Sequence, residues 1–506
     1  MKLTKKTVVT ILIGIVLLGA ILRFYRLGAT SFVADEFLDI NSSVAYAKTG
    51  VWQNWDFNFN RVNTENVFEA RDSRAWIYKW QVAQILKHTK INEANARMVS
   101  VSWGIITIIL MYFTAAYFTK RKEIGLISAF LFAVSISGII FDRRLRMYAM
   151  FYPVFLAFSW LIYKFYEDEY KGKIVLVKSI FNKFGVNVIY LVPALALGVA
   201  SVLTHQLAAN IVFAVIIFST IQLFRKSEKF YWANKYFLSL LVLIAGYIGA
   251  VVFFPEELSA YTAGISPVIH QAYFAKIFSD YSHIILASTF LLVGIYYLYK
   301  KEKLHKEAIW LASCFGGIFA AAVFLWDRNT GDQYIFFIQS FGIILIASGI
   351  YGVAEFLGNN LSRFGKKAFY IPLALFLVLL PNYAYFFQES NAYKQTSEGE
   401  SANYKKVFGY FMKAKDPEDV LITRNFRNFY WQGAEIKVFD FGGELAEKKL
   451  SLAEMQKIVA ENPSGWFIFS DNDDAYVAND AMDWAVKNME RVSNSQVRGK
   501  VSVYQW

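Results

Sequence analysis

Eleven apolar runs of roughly 20 residues each are the dominant feature of this chain of 506 residues, and that is the length an α-helix needs to cross the hydrocarbon core of a bilayer. They lie at about 7–25, 97–118, 124–141, 147–165, 186–204, 207–224, 236–254, 283–299, 308–326, 334–352 and 370–387. A backbone in lipid must satisfy its own hydrogen bonds, so such runs are helices. The expected fold class is mainly α: a polytopic helical membrane protein with about eleven transmembrane helices. The first run is too long and apolar for a signal segment and no small-residue cleavage site follows it, so it reads as a retained span. A mean hydropathy of +0.33 agrees with several spans.

The net charge of +12 does not point to nucleic acid, because the basic residues punctuate the apolar runs instead of gathering in a free tail. They report topology. With the amino terminus in the cytoplasm, the internal connections hold Lys5 and Lys6, Lys120 to Lys122, Lys164 to Lys183, Arg225 to Lys235, Lys300 to Lys306, and Arg363 to Lys367. The exception is an external turn bearing Arg143, Arg144 and Arg146. An odd number of spans leaves the carboxyl-terminal tail extracytoplasmic. The single cysteine, Cys314, sits in an apolar run, which excludes disulfides and favours a packed thiol.

Two domains are expected: a membrane domain, 1–389, whose external loop 26–96 carries surface helices, and a soluble α/β domain, 390–506. In the loop, Phe37, Ile40, Val44 and Ala47 recur at helical spacing, which predicts a helix lying on the membrane surface. A second helix is predicted from about Arg74 to Lys87, with Trp76 and Trp80 one turn apart. The polar, aromatic stretch 52–66 reads either as a loop over a site or as disordered. In the tail, 420–423, 436–441, 466–471 and the last residues read as strands, and 444–460 and 475–489 as helices. There is no Gly-rich phosphate loop or metal motif.

Four groups of residues have the means for chemistry. Asp35 and Glu36 lie just beyond the first span; side chains of adjacent helical residues diverge by about 100°, so one serves as a base while the other orients a group or ligates a divalent cation such as Mg or Mn. The plainer reading is a helix amino-terminal cap. Arg143, Arg144 and Arg146 break the orientation rule, and a lipid phosphate is their natural counter-ion; snorkelling to ordinary headgroups is the alternative, and Asp142 is a candidate partner for one of them. His205 and Gln206 sit at an external helix end, structural or in contact with a sugar. Trp326 to Phe337 holds Asp327, Arg328 and Asp332, a solvated turn or a donor-phosphate contact.

The order of these elements resembles a known family. One span, an acidic DE pair, a long loop, INEANARMVSV entering the second span, RLRMYAM after the third, THQ after the fifth and QYIFF opening a late span are similar to GT-C glycosyltransferases of the protein O-mannosyltransferase and aminoarabinose-transferase type, family 39-like. The resemblance covers about residues 1–390. It implies a polyprenyl-phosphate-linked sugar donor, inverting transfer on the extracytoplasmic face to a protein, lipid or glycan acceptor, and Asp35 as the base. It makes Arg143, Arg144, Arg146 and Arg328 candidates for the donor phosphate, and Tyr148, His205, Gln206, Gln333 and Tyr334 candidates for substrate contact. Two departures stand out: Gln333-Tyr334 where many relatives carry Arg-Tyr, and RDSRAWIYKW (71–80) where aminoarabinose-type relatives carry a Lys-Pro-Pro element. The competing expectation is a transporter or flippase of a lipid-linked glycan, which would place ionisable groups near the bilayer midplane.

Overall fold

The computed structural model describes residues 3–33, 35–63, 73–225, 234–262, 265–327, 330–361, 363, 365–389, 391–394, 402–441, 449–470, 473–492 and 501–506. Contacts divide the chain into two compact units. One comprises Met1–Arg23, Val101–Asp142 and Met147–Ala384; the other comprises Phe24–Ser100, Arg143–Arg146 and Tyr385–Trp506. The sequence places the boundary at 389 and leaves loop 26–96 with the membrane part. The structure instead groups that loop, and the arginine turn, with the tail.

Every apolar run in the first unit is helical, though not every one forms a single long helix. Among the described residues seven helices are long and apolar enough to cross a membrane, or nine if two bent pairs count as one span each. The remaining two, Ile284–Tyr299 and Lys367–Leu379, have 16 and 13 residues. At 1.5 Å per residue they reach only about 24 and 20 Å, short of a core of about 30 Å. The bend of 60° between Lys122–Ala133 and Ile136–Asp142 is met by a partner from a distant part of the chain. Asp280 accepts hydrogen bonds from Ser137 N (2.7 Å), Ser137 Oγ (2.8 Å) and Ser135 Oγ (2.6 Å), taking up donors that the break releases. The helices Ile284–Tyr299 and Gln339–Asn360 cross at Gly294 and Gly349, where an added Cβ would lie 1.8 Å from the Leu345 carbonyl oxygen and 1.9 Å from that of Phe290. Only glycine permits this approach. On Lys235–Phe253, Val242, Ile248 and Val252 are exposed, as lipid-facing side chains are. Cys314 is buried, with Ser159 Oγ at 3.4 Å. Asp142 pairs with Arg23 at 2.7 Å, both buried, and not with an arginine of the neighbouring turn.

In the second unit the tail forms a five-stranded sheet from β3 (Val420–Thr423), β4 (Val438–Asp440), β5 (Gly465–Ser470), β6 (Glu490–Arg491) and β7 (Val501–Gln505), after a hairpin of β1 (Asn54–Asp56) and β2 (Arg61–Asn63) in the loop. The order is β4-β3-β5-β7-β6, with β3 parallel to β4 and β5, and β7 antiparallel to β5 and β6. β3 and β5 are buried throughout, which is why they read as unbroken apolar runs. Helices Leu452–Glu461, with a Ser451/Glu454 capping box, and Asn479–Asn488 supply Met455, Ile458, Ala481 and Ala485 to the core around Phe467. Part of the predicted helix 444–460 falls outside the described residues.

The helix after Asp35 forms as predicted, Glu36–Thr49, and stops at Gly50 in a left-handed conformation (φ 77°). Its apolar face does not lie on a membrane. Phe37, Ile40 and Val44 are fully buried, and the Phe37 ring meets Tyr404, Phe426 and Tyr430 edge-on at 5.6–5.7 Å between centroids. The second helix is Trp76–His88, with Trp76 and Trp80 exposed. The stretch 54–63 is ordered: the Asn58 side chain donates to Ile436 O (2.7 Å) and accepts from Ile436 N (3.0 Å), while Gly433 N donates to Phe57 O.

One stability prediction arises here. Burial pushes the Asp419 carboxyl up, but hydrogen bonds from Ser464, the Asp416 amide and Trp466 outweigh it and hold the group below its ordinary value. A depressed folded pKa contributes stability that is complete above the unfolded value of about 3.9 and is lost as pH falls below it. Asp419→Asn is therefore expected to cost about 1–3 kcal/mol at neutral pH and to weaken the acid dependence below pH 4, read by thermal melts from pH 3 to 7. A variant whose melting curve follows the wild type at every pH would contradict this.

Candidate functional site

The Glu36–Thr49 helix divides the acidic pair by direction. Asp35 stands at the N-cap position, but its side chain makes no capping hydrogen bond. Its carboxylate is 58% exposed and meets Arg146 Nη2 at 2.8 Å. Arg146 Nη1 lies 2.7 Å from Asp39 Oδ2, so one guanidinium spans two carboxylates. Asp39 is nearly buried and also faces Lys79 Nζ at 4.0 Å; that ammonium donates to Ser42 Oγ at 3.1 Å. Asp35 and Asp39 are four residues apart and so share a helix face. The sequence carried that signal, and the adjacent DE pair obscured it.

Glu36 points elsewhere, into the protein. Its carboxylate accepts from Arg97 Nε and Nη2 (both 2.9 Å), from Leu145 N (2.7 Å) and from Val33 N (3.0 Å), and it is 1% exposed. Arg97 in turn donates to the carbonyls of Leu27, Thr30 and Ser31. The expectation that Glu36 ligates a cation or orients an acceptor is thereby corrected: its oxygens are filled with hydrogen bonds. Among the described residues no three His, Cys, Asp or Glu side chains gather as a metal set.

The three arginines of the external turn also separate. Arg143 is buried, donates to the carbonyls of Tyr25 (2.7 Å), Arg26 (3.3 Å) and Ala392 (3.2 Å), and stacks over Tyr393 at 4.5 Å. It ties the chain together, against the expectation that it holds a donor phosphate. Arg146 is committed to Asp35 and Asp39, and Arg144 is half-buried. Arg328 lies outside the described residues. In the membrane unit His205 is buried at the break between Leu191–Thr204 and Gln206–Asn210; its Nδ1 accepts from Leu207 N, and its ring lies 5.2 Å from Tyr148 and 5.5 Å from Phe151. Gln206 is half-buried beside it. Gln333 and Tyr334 are half-buried in a short 3-10 turn whose Asp332 pairs with Lys276 at 2.8 Å.

No protein-family model matches the sequence, and no curated protein matches it. Solved structures do. An oligosaccharyltransferase of Archaeoglobus fulgidus, solved with a tethered acceptor peptide containing an NVT sequon, aligns with a TM-score of 0.57 and 10% identity over 93% of this chain and 70% of its own. ArnT of Cupriavidus metallidurans, solved bound to undecaprenyl phosphate, aligns with a TM-score of 0.55 and 10% identity over 99% of this chain and 98% of its own. The chain has the GT-C fold. The archaeal AglB of A. fulgidus in complex with an inhibitory peptide and a dolichol-phosphate aligns at 0.54, again with 10% identity, over 92% of this chain and 69% of its own. A GT-C fold built on these apolar helices makes the chain a multi-pass membrane protein. Within that GT-C fold the acidic helix start, the arginine turn and the tail belong to one compact unit.

Proposed function

We propose that this protein is an inverting membrane glycosyltransferase that moves a sugar from a polyprenyl-phosphate donor to a hydroxyl of a protein, lipid or glycan acceptor on the extracytoplasmic face, with the amino terminus in the cytoplasm and the tail outside. The observation that carries the reading is the exposed Asp35 carboxylate, held by Arg146 at the start of a helix packed within its own unit, in a chain of GT-C fold. Two similarly folded proteins were solved with undecaprenyl phosphate and with dolichol-phosphate, which supports a lipid phosphate as the leaving group here.

The chemistry follows from the residues. The acceptor attacks the anomeric carbon; a new bond to that carbon forms as the carbon–oxygen bond to phosphate breaks, and the electron pair leaves with the phosphate. Asp35 takes the acceptor's proton, since a neutral acceptor is a poor nucleophile. Arg146 fixes the direction of the Asp35 carboxylate, and Asp39, itself faced by Lys79, holds Arg146 in place. Charge growing on the phosphate falls to Arg144, because the guanidinium of Arg143 is spent on carbonyls and that of Arg146 on carboxylates. Tyr148, His205, Gln206, Gln333 and Tyr334 are the proposed substrate contacts of the membrane unit.

The test is to offer purified protein in bilayer nanodiscs a panel of polyprenyl-phosphate sugars and follow release of polyprenyl phosphate with an acceptor mixture. Transfer from at least one donor is expected. Binding of such donors with no turnover against any acceptor would remove the catalytic reading.

A further inference from the structure

A polar cavity of about 370 Å³ opens at the end of the membrane unit remote from His205. The helix beginning beside His205 runs from Gln206 to Arg225, 20 residues, so its ends are about 30 Å apart. Its far end contributes Gln222 and Arg225 to the cavity; Lys303, His305 and Lys306 close it from the start of the span Glu302–Phe324. Under the orientation proposed above, this end faces the cytoplasm.

The lining is arranged as donors. Gln222 is 2% exposed, and its amide nitrogen has no hydrogen-bond partner, which is unfavourable for a buried donor unless an acceptor fills it. Arg225 Nη2 lies 3.1 Å from His305 Nδ1. A guanidinium has only N–H groups to offer, so Nδ1 accepts and the His305 proton sits on Nε2, which makes the imidazole a second donor. The His305 and Tyr299 rings lie 4.6 Å apart at 30°, and Arg225 stacks on Tyr299 at 5.4 Å, which holds the group in place. The carboxylates of the cavity do not cancel these donors: Glu167 is engaged by Lys235, Lys306 and Tyr236, Glu307 faces Lys120 at 3.8 Å, and Glu302 is exposed.

We propose that this cavity binds a phosphate group, with Gln222 and Arg225 as its principal donors and Lys303 and His305 completing the set. The side chains that line this cavity carry amide, guanidinium, ammonium and imidazole N–H groups, the donors a phosphate accepts from. An apolar cavity of about 550 Å³ is lined by Phe158, Ile162, Tyr166 and Lys235, and Lys235 is ion-paired with Glu167 of the polar one. This places room for a hydrocarbon chain one ion pair away and favours an inner-leaflet phospholipid as the source of the phosphate.

Native mass spectrometry of the full-length protein, titrated with phosphatidylglycerol and in parallel with phosphatidylcholine, tests this. Phosphatidylglycerol is expected to bind in preference, and Arg225→Ala and Gln222→Glu each to weaken that binding at least tenfold. Lys178→Ala/Lys183→Ala, which removes charge from the same side outside the cavity, is expected to leave it unchanged. Displacement of the lipid by inorganic phosphate, lost in Arg225→Ala, would identify free phosphate as a ligand of the same site; no displacement would assign the site to the lipid. Wild-type affinity in both cavity variants, or an equal loss in the lysine control, overturns the proposal.

Discussion

Asp35→Asn is expected to lower the rate of sugar transfer by about 10²–10⁴-fold, the contribution typical of a positioned general base, and to leave the fold intact. The side chain is more than half exposed and its carboxylate meets Arg146; the variant is nearly isosteric, and Arg146 keeps Asp39 at 2.7 Å. An exposed ion pair contributes about 1 kcal/mol or less, so the melting temperature should barely move. Initial rates with a polyprenyl-phosphate sugar, read beside a thermal melt, separate the two effects. A variant transferring sugar at the wild-type rate would take Asp35 out of the mechanism and leave the fold assignment untouched.

The second large effect is on stability. Arg97→Met is expected to cost about 3–5 kcal/mol, because removing one partner of a buried pair leaves the other charge uncompensated. Here the loss includes both hydrogen bonds to Glu36 and those to the carbonyls of Leu27, Thr30 and Ser31. Glu36→Gln should act in the same direction, since its carboxylate also accepts from Leu145 N and Val33 N. The two neighbours in the acidic pair then have opposite signatures: substitution of Asp35 loses rate with a normal melt, and substitution of Glu36 lowers the melt before any rate can be compared. A Glu36→Gln protein as stable as wild type would contradict the assigned role.

The membrane character was legible without a structure because apolar length is a local property. Each of the eleven runs is helical. What local length does not encode is where a helix is broken or stops short: among the described residues two runs are bent pairs and two give helices of 16 and 13 residues, and the bend at Ser135 is tied to Asp280, which is 145 residues away. The tail strands were legible for a similar reason, as β3 and β5 are apolar throughout. The hairpin in 54–63 was not, since Asn58 is ordered by Ile436.

The candidate site shows the same division. Helical spacing after Asp35 sets the Glu36–Thr49 helix and gives Asp35 and Asp39 a common face, and charge placement alone sets acids and arginines on one predicted side of the membrane. Which carboxylate stays open to solvent, which arginine binds carbonyls and which cation compensates Glu36 were decided only by tertiary packing. The reason is that burial and pairing depend on partners from distant parts of the chain: Arg97 for Glu36, Ala392 for Arg143, and Arg23 for Asp142. No window of neighbouring residues contains them.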